Sequence, residues 1–359
     1  MASDNTGAGA TTDVSILGAH AFQMFRSSLA PLKGYFDDPG VSEIMINRFD
    51  QIFVEKGGDI FQAPLKLSPE AVRGAIQSLA TANARDAGQV LDVRMPGYRV
   101  AAALSPTSIK GAVLCIRQHA TAVRSLDVYL ASGGFSPVSD KDVAAYEQAS
   151  RSLSQGRPDD QDVLRGGEAV KALLQWMVAT RQNILIAGGT SSGKTTFLNS
   201  LLMEVHPGQR LLTIEDTAEL NVTIPNYVSF ESNADLGISI RDLVKLALRF
   251  RPDRIVVGEI RGGEAYDLID ALNTGHPGGM CSLHANSPEQ ALTRLEGLVR
   301  MNPTAANLPH HVLRKQIAET FRFVVFCSRI GQRRGPEQVV EILDSSESGY
   351  ITKKLFDAR

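Results

Sequence analysis

The chain falls into two stretches with different hydrophobic periodicities. Phe22, Phe25, Leu29 and Leu32 recur at helical spacing, which predicts an amphipathic helix whose apolar stripe faces a core. The next segment, VSEIMINRFDQIFVEKGG, alternates apolar with polar positions around turn residues at Asn47 to Asp50 and at Gly57 and Gly58, the pattern of strand, turn and strand. Residues near 69–84 return to helical spacing, and GYRVAAALSP and GAVLCIRQ predict two more strands. These elements describe a small α+β domain over residues 14–120, preceded by a polar tail at residues 1–13. From 121 to 165, SGGFSPVSDKD and SRSLSQGRPDDQD are rich in Ser, Gly, Asp and Pro and read as an interdomain linker with one short helix.

Over residues 166–359 the texture changes. NILIAG, RLLTIED, RIVVGE, MCSLHA and FRFVVFC are apolar, β-branched runs separated by helical stretches. Strands that are apolar on both faces are covered on both faces, so this second domain reads as α/β with a mostly parallel sheet.

Composition removes several classes. With 43% hydrophobic and 21% charged residues the 359-residue chain is neither collagen-like, coiled-coil nor wholly disordered. Its net charge of −2 gives no basic excess of the kind that coats nucleic acid. Cys115, Cys281 and Cys327 are too scattered for a disulfide framework or a cysteine-rich zinc site, which points to reducing cytosol. No stretch is apolar enough to span a bilayer, so any membrane contact is expected to be peripheral.

The clearest chemistry lies at Gly188, Gly189, Thr190, Ser191, Ser192, Gly193, Lys194 and Thr195, which match G-x-x-x-x-G-K-[ST] between an expected strand and an expected helix. Glycines let backbone N–H groups curl around phosphates, and the helix adds its positive end. Lys194 is expected to reach the β and γ phosphates, Thr195 to place a hydroxyl on Mg²⁺, and Thr196 to assist at the α phosphate. ATP with Mg²⁺ is the cofactor pair this predicts.

In α/β sheets ligands gather at the carboxyl ends of strands. LLTIED ends in Glu215 and Asp216, with Glu219 a helical turn beyond, and RIVVGEIR carries Glu259. Such carboxylates can hold Mg²⁺, partly through water, or orient an attacking water, and hydrolysis needs one of them as base. Helix capping is the competing reading, and for Glu219 it weighs equally. His276 lies in a Gly/Pro-rich turn and His284 ends the next apolar run, where the pair is expected to sense the γ phosphate or bound water. His310 and His311 read as plain surface. Arg329, Arg333 and Arg334 in SRIGQRRGPEQVV read as a solvated turn in preference to a hairpin touching anionic lipid or a partner.

In order, GGTSSGKTT, TIEDTAEL and RPDRIVVGEIRGGEAYDLIDALNTGHPGGMCSLHANS resemble the phosphate loop, acidic box, Walker B strand and histidine box of the type II/IV secretion ATPase superfamily. The resemblance covers roughly residues 40–345 and is nearest to the traffic ATPases of conjugation and type IV secretion, the Trb/Vir type. It implies a RecA-like second domain, a homohexamer and an Mg²⁺-dependent ATP hydrolase. It also implies a place on the cytoplasmic face of the inner membrane among components of a secretion or pilus machine. Arg261 and His276, inside these stretches, are assigned to the nucleotide site. Arginines of the family's N-terminal domain reach the phosphates, which nominates Arg99 and Arg117, with Arg94 next.

The family often has Gly where this loop has Ser191. A tetracysteine zinc module is absent, and ALTRLEGLVRMN differs from the helix of retraction ATPases, which disfavours those branches. A tight-adherence pilus ATPase is the nearest alternative. A RecA-like nucleic-acid motor is the alternative from another class, weakened by 6% aromatic content and a single Trp176, so no specific nucleic-acid binding is expected.

Overall fold

A computed structural model describes residues 22–82, 90–95, 97–118, 124–135, 166–234, 236–330 and 333–358. The chain divides into two compact units, Met1–Ala122 and Val123–Arg359. The tail at 1–13 and residues 136–165 of the stretch 121–165 read as linker lie outside the described residues.

The first unit is built on six antiparallel strands in the order β3-β2-β1-β6-β5-β4. They are β1 (Val41–Arg48), β2 (Gln51–Lys56), β3 (Asp59–Gln62), β4 (Val90–Met95), β5 (Tyr98–Ala103) and β6 (Val113–Gln118). Residues 22–28 are helical, and Phe25, Leu29 and Leu32 of the expected stripe are fully buried. They share a core with Ile44 and Ile46 of β1, Val100 of β5 and Leu79 of the helix Pro69–Ala82.

The second unit carries an eight-stranded sheet in the order β14-β13-β12-β7-β11-β10-β8-β9. Its members are β7 (Ile184–Gly188), β8 (Leu211–Glu215), β9 (Tyr227–Glu231), β10 (Arg254–Val257), β11 (Met280–His284), β12 (Phe323–Ile330), β13 (Arg333–Ser346) and β14 (Gly349–Asp357). The run from β12 to β9 is parallel throughout, and β13 and β14 add an antiparallel edge.

Period-two alternation explains why these strands read as continuously apolar. Leu185 and Ala187 of β7, Ile255 and Val257 of β10, and Val324 and Phe326 of β12 enter one core. The helices Ile240–Ala247, Glu264–Asn273, Pro288–Arg300 and His310–Thr320 cover that face. Ile184, Ile186, Val256, Phe323 and Val325 enter the opposite core, covered by the helices Gly167–Ala179 and Lys194–Met203. Among the described residues no helix is long and apolar enough to cross a membrane.

The helix inside the expected linker is Leu126–Ala131, capped by the Ser125 side chain on the Val128 N–H. It is no spacer: Leu126, Tyr129 and Phe135 are buried in the core of the second unit. Flanking Ser and Gly residues hide three large apolar side chains in the composition of that stretch. Tyr129, 2% exposed, meets Phe197 of the helix Lys194–Met203 edge to face with ring centroids 5.7 Å apart. We predict that Tyr129→Ala destabilises the second unit by about 3 kcal/mol, because a large aromatic leaves a cavity in a packed core. Chemical denaturation followed by circular dichroism checks this; a change below about 1 kcal/mol would remove this helix from the core.

Candidate active site

Strand β7 places its last residue, Gly188, level with His284 of β11 on one side and Cys327 of β12 on the other. A Cβ at Gly188 would stand 2.2 Å from the Cys327 carbonyl oxygen and 2.6 Å from Ser192 Oγ, so glycine is required there by close approach. The chain then turns through Ser191 (φ 57) and Gly193 (φ 91), both left-handed. That geometry favours glycine at position 191 as well, which accounts for its frequency there in the family the sequence resembles. Ser192 Oγ closes the loop by donating to the Gly189 carbonyl at 2.9 Å. The helix Lys194–Met203 starts at Gly193, with Thr195 and Thr196 in its first turn.

Lys194 is only 8% exposed. Its Nζ donates to the carbonyls of Gly188 (3.1 Å) and Gly189 (2.9 Å) and lies 3.4 Å from His284 Nδ1. The same imidazole reaches a carboxylate with its other ring nitrogen. Nε2 faces Glu259 Oε1 at 3.0 Å. Glu259 Oε2 in turn accepts from Arg261 at 2.9 Å, and Arg261 lies 3.5 Å from Asp216, which accepts from Ser232 Oγ at 2.8 Å. A continuous polar chain therefore runs from the phosphate loop across the carboxyl ends of β11, β10 and β8.

The two candidate carboxylates differ. Glu215, 4% exposed, ends β8, and its Oε1 accepts from the backbone N–H groups of Glu219 and Leu220, both at 2.9 Å. Burial pushes its pKa up to about 7 despite those two hydrogen bonds. It fits because β10 is followed by Gly258, where a Cβ would lie 3.0 Å from Glu215 Cγ. Burial pushes Glu259 upward too, but the Arg261 hydrogen bond and the charges of Arg261, His284 and Lys194 outweigh it and hold this carboxyl below its ordinary value.

Glu215, Asp216, Glu259, Arg261, His284, Lys194 and the loop residues thus come together. Glu219 enters through its backbone: its N–H binds Glu215 and its carbonyl accepts from Asn199. His276 lies apart from this group. It precedes β11, at the amino end of the sheet, and its Nδ1 lies 3.1 Å from the Ala271 carbonyl at the end of the helix Glu264–Asn273. The length of β11 separates it from Lys194 within this chain, since a strand of such length spans roughly 13 Å. Arg99 and Arg117 belong to the first unit, opposite each other on β5 and β6, and Arg99 pairs with Asp92 at 2.8 Å. The side chain of Arg94 lies outside the described residues.

Sequence reasoning missed Asn199, whose side chain fixes the Glu219–Asn221 segment by accepting from the Asn221 N–H at 2.7 Å. The β12–β13 hairpin packs beside the loop through long-range pairing that no local spacing encodes.

Comparisons with known proteins bear on this arrangement. Residues 163–337 match the family described as type II/IV secretion system protein. The conjugal transfer protein TrbB of Rhizobium radiobacter is 31% identical over 325 residues, covering 88% of this chain and 88% of its own length. The type IV secretion system protein VirB11 of Brucella suis is 32% identical over 309 residues, covering 80% and 81%. Among solved structures, the ATPase DotB of Yersinia pseudotuberculosis superposes with a TM-score of 0.56 at 17% identity, covering 92% of this chain and 77% of that one, a likeness of fold.

The elevated Glu215 pKa has a stability consequence. Folding favours its protonated form, so that contribution is fully present below about pH 4.5 and is lost as pH rises to about 7. We predict that Glu215→Gln, whose amide oxygen can keep both backbone hydrogen bonds, removes a loss on the order of 3 kcal/mol between those pH values. Denaturation of wild type and variant at pH 4.5 and 7 checks it; parallel curves would place Glu215 in a more polar setting than the one described.

Proposed function

Because this chain belongs to the type II/IV secretion system protein family, we propose that its second unit hydrolyses ATP with Mg²⁺ to drive substrate transfer or pilus assembly in a type IV secretion or conjugation machine. The observation that carries the reading is the chain Lys194, His284, Glu259 and Arg261 beside a loop of phosphate-binding geometry. Backbone N–H groups of the loop and the helix end cradle the phosphates. Lys194, now satisfied by its own loop's carbonyls, exchanges them for the more strongly charged phosphate oxygens.

Thr195, Glu215 and Glu259 offer hard oxygen donors of the kind Mg²⁺ selects, the carboxylates partly through water. When bound, the ion supplies charge neutralisation along the phosphates. Glu259, held ionised, accepts the proton of the attacking water, with Arg261 bonded to its Oε2 and His284 close to its Oε1. Glu215 fixes the strand end and the Glu219–Leu220 backbone. Arg99 and Arg117 act on the phosphates from the first unit, where a guanidinium fork suits transition-state charge. In this proposal the chain works as a homohexamer bound peripherally to the cytoplasmic face of the inner membrane, opening and closing as nucleotide turns over.

Three variants test the roles. Lys194→Ala lowers turnover roughly 100-fold or more while leaving thermal unfolding near wild type. Glu259→Gln binds ATP normally but hydrolyses it roughly 100-fold more slowly; wild-type turnover would move the base to Glu215. Arg117→Ala slows hydrolysis roughly tenfold although it lies outside the second unit, and an unchanged rate would remove the first unit from catalysis. Steady-state phosphate release and nucleotide titration read all three.

A further inference from the structure

Strand β11 is apolar apart from Ser282 and His284. Met280 enters one core of the second unit, and Cys281 and Leu283 enter the other. Ser282, between Cys281 and Leu283, is 1% exposed, a place where a hydroxyl is costly unless it is bonded. Its Oγ donates to the Gly258 carbonyl at 2.6 Å, and its own carbonyl accepts from the Ile260 N–H at 2.8 Å. These two bonds bracket Glu259. They also begin where regular pairing stops: β10 pairs with β11 through Val256 with Met280 and Val257 with Cys281, and β10 ends at Val257. On the other side, the Gly258 N–H donates to the Ile214 carbonyl of β8 at 2.9 Å.

Past a strand end the ladder no longer sets the two soft dihedrals of each residue, so the direction of the Glu259 side chain depends on what anchors its neighbours. Ser282 anchors both of them, one through its hydroxyl and one through its backbone. It also lies two residues before His284 on the same face of β11, and His284 Nε2 stands 3.0 Å from Glu259 Oε1. The two ends of that contact are therefore referred to one point on β11. We propose that Ser282 is a positioning residue for hydrolysis: by holding Gly258 and Ile260 it sets where the Glu259 carboxylate stands against His284 and the attacking water. Ser282 acts through Glu259 and needs no contact with the nucleotide. The proposal rests on the reading of Glu259 as the base and deepens it by naming the group that aims it.

The test is a double-mutant cycle on the full chain: wild type, Ser282→Ala, Glu259→Gln and the pair together, each read by steady-state phosphate release, by Mg²⁺-ATP titration and by amide hydrogen exchange over residues 258–261. Ser282→Ala is expected to lower kcat by about tenfold, the scale of one buried hydrogen bond, with ATP affinity within about twofold of wild type. Exchange over 258–261 should quicken without nucleotide, because the bracket is loosened in the resting protein. In the Glu259→Gln background the serine change should cost nothing further, since a residue that acts only through Glu259 has nothing left to aim. If Ser282→Ala does not fold, Ser282→Cys, a weaker donor, takes its place in the same cycle. Wild-type turnover in the serine variant overturns the proposal. So does a full second loss in the double variant, or a fall in ATP affinity that matches the fall in turnover, because Ser282 would then support the site as a whole. Wild-type turnover in Glu259→Gln alone would instead bring down the reading of Glu259 as the base.

Discussion

The site depends on one pairing constraint, the insertion of β7 in parallel between β11 and β12. That register sets Gly188 level with His284 and Cys327. It converts residues far apart in sequence into a contiguous floor at the carboxyl ends of the strands, with the Lys194 ammonium within reach of two loop carbonyls and an imidazole. Apolar packing holds the register: each strand sends alternate residues into two separate cores, so a slip of one residue would exchange both faces at once.

On that floor the electrostatics separate two carboxylates of the same type. Glu215 is enclosed by Gly258 and its own following turn, where desolvation dominates and the acid form is favoured. Glu259 is also enclosed, yet Arg261, His284 and Lys194 surround it with positive charge and keep it ionised. Groups whose environments push their pKa values apart take different tasks. The ionised one is matched to proton acceptance and the buried one to holding a strand end in place.

Much of this could be read from sequence because it is local. The phosphate loop is a contiguous run whose glycines report backbone geometry, and the five apolar runs report strands buried on both faces. The acidic strand ends were legible for the same reason, as each carboxylate closes its own strand. What could not be read depends on long-range placement. His276 shares a short segment with His284, but a parallel strand carries its two ends to opposite edges of the sheet. Leu126, Tyr129 and Phe135 sit among Ser and Gly residues whose composition suggests a spacer, while their burial follows from helices contributed by residues 167–203.

The most direct test of the central claim is Mg²⁺-dependent ATP hydrolysis by the purified chain, measured across protein concentration together with its mass in solution, with and without nucleotide. Turnover that requires Mg²⁺ and rises as the chain assembles toward six subunits is the predicted result. Absence of turnover in the assembled protein, or full turnover by a monomer, would contradict it.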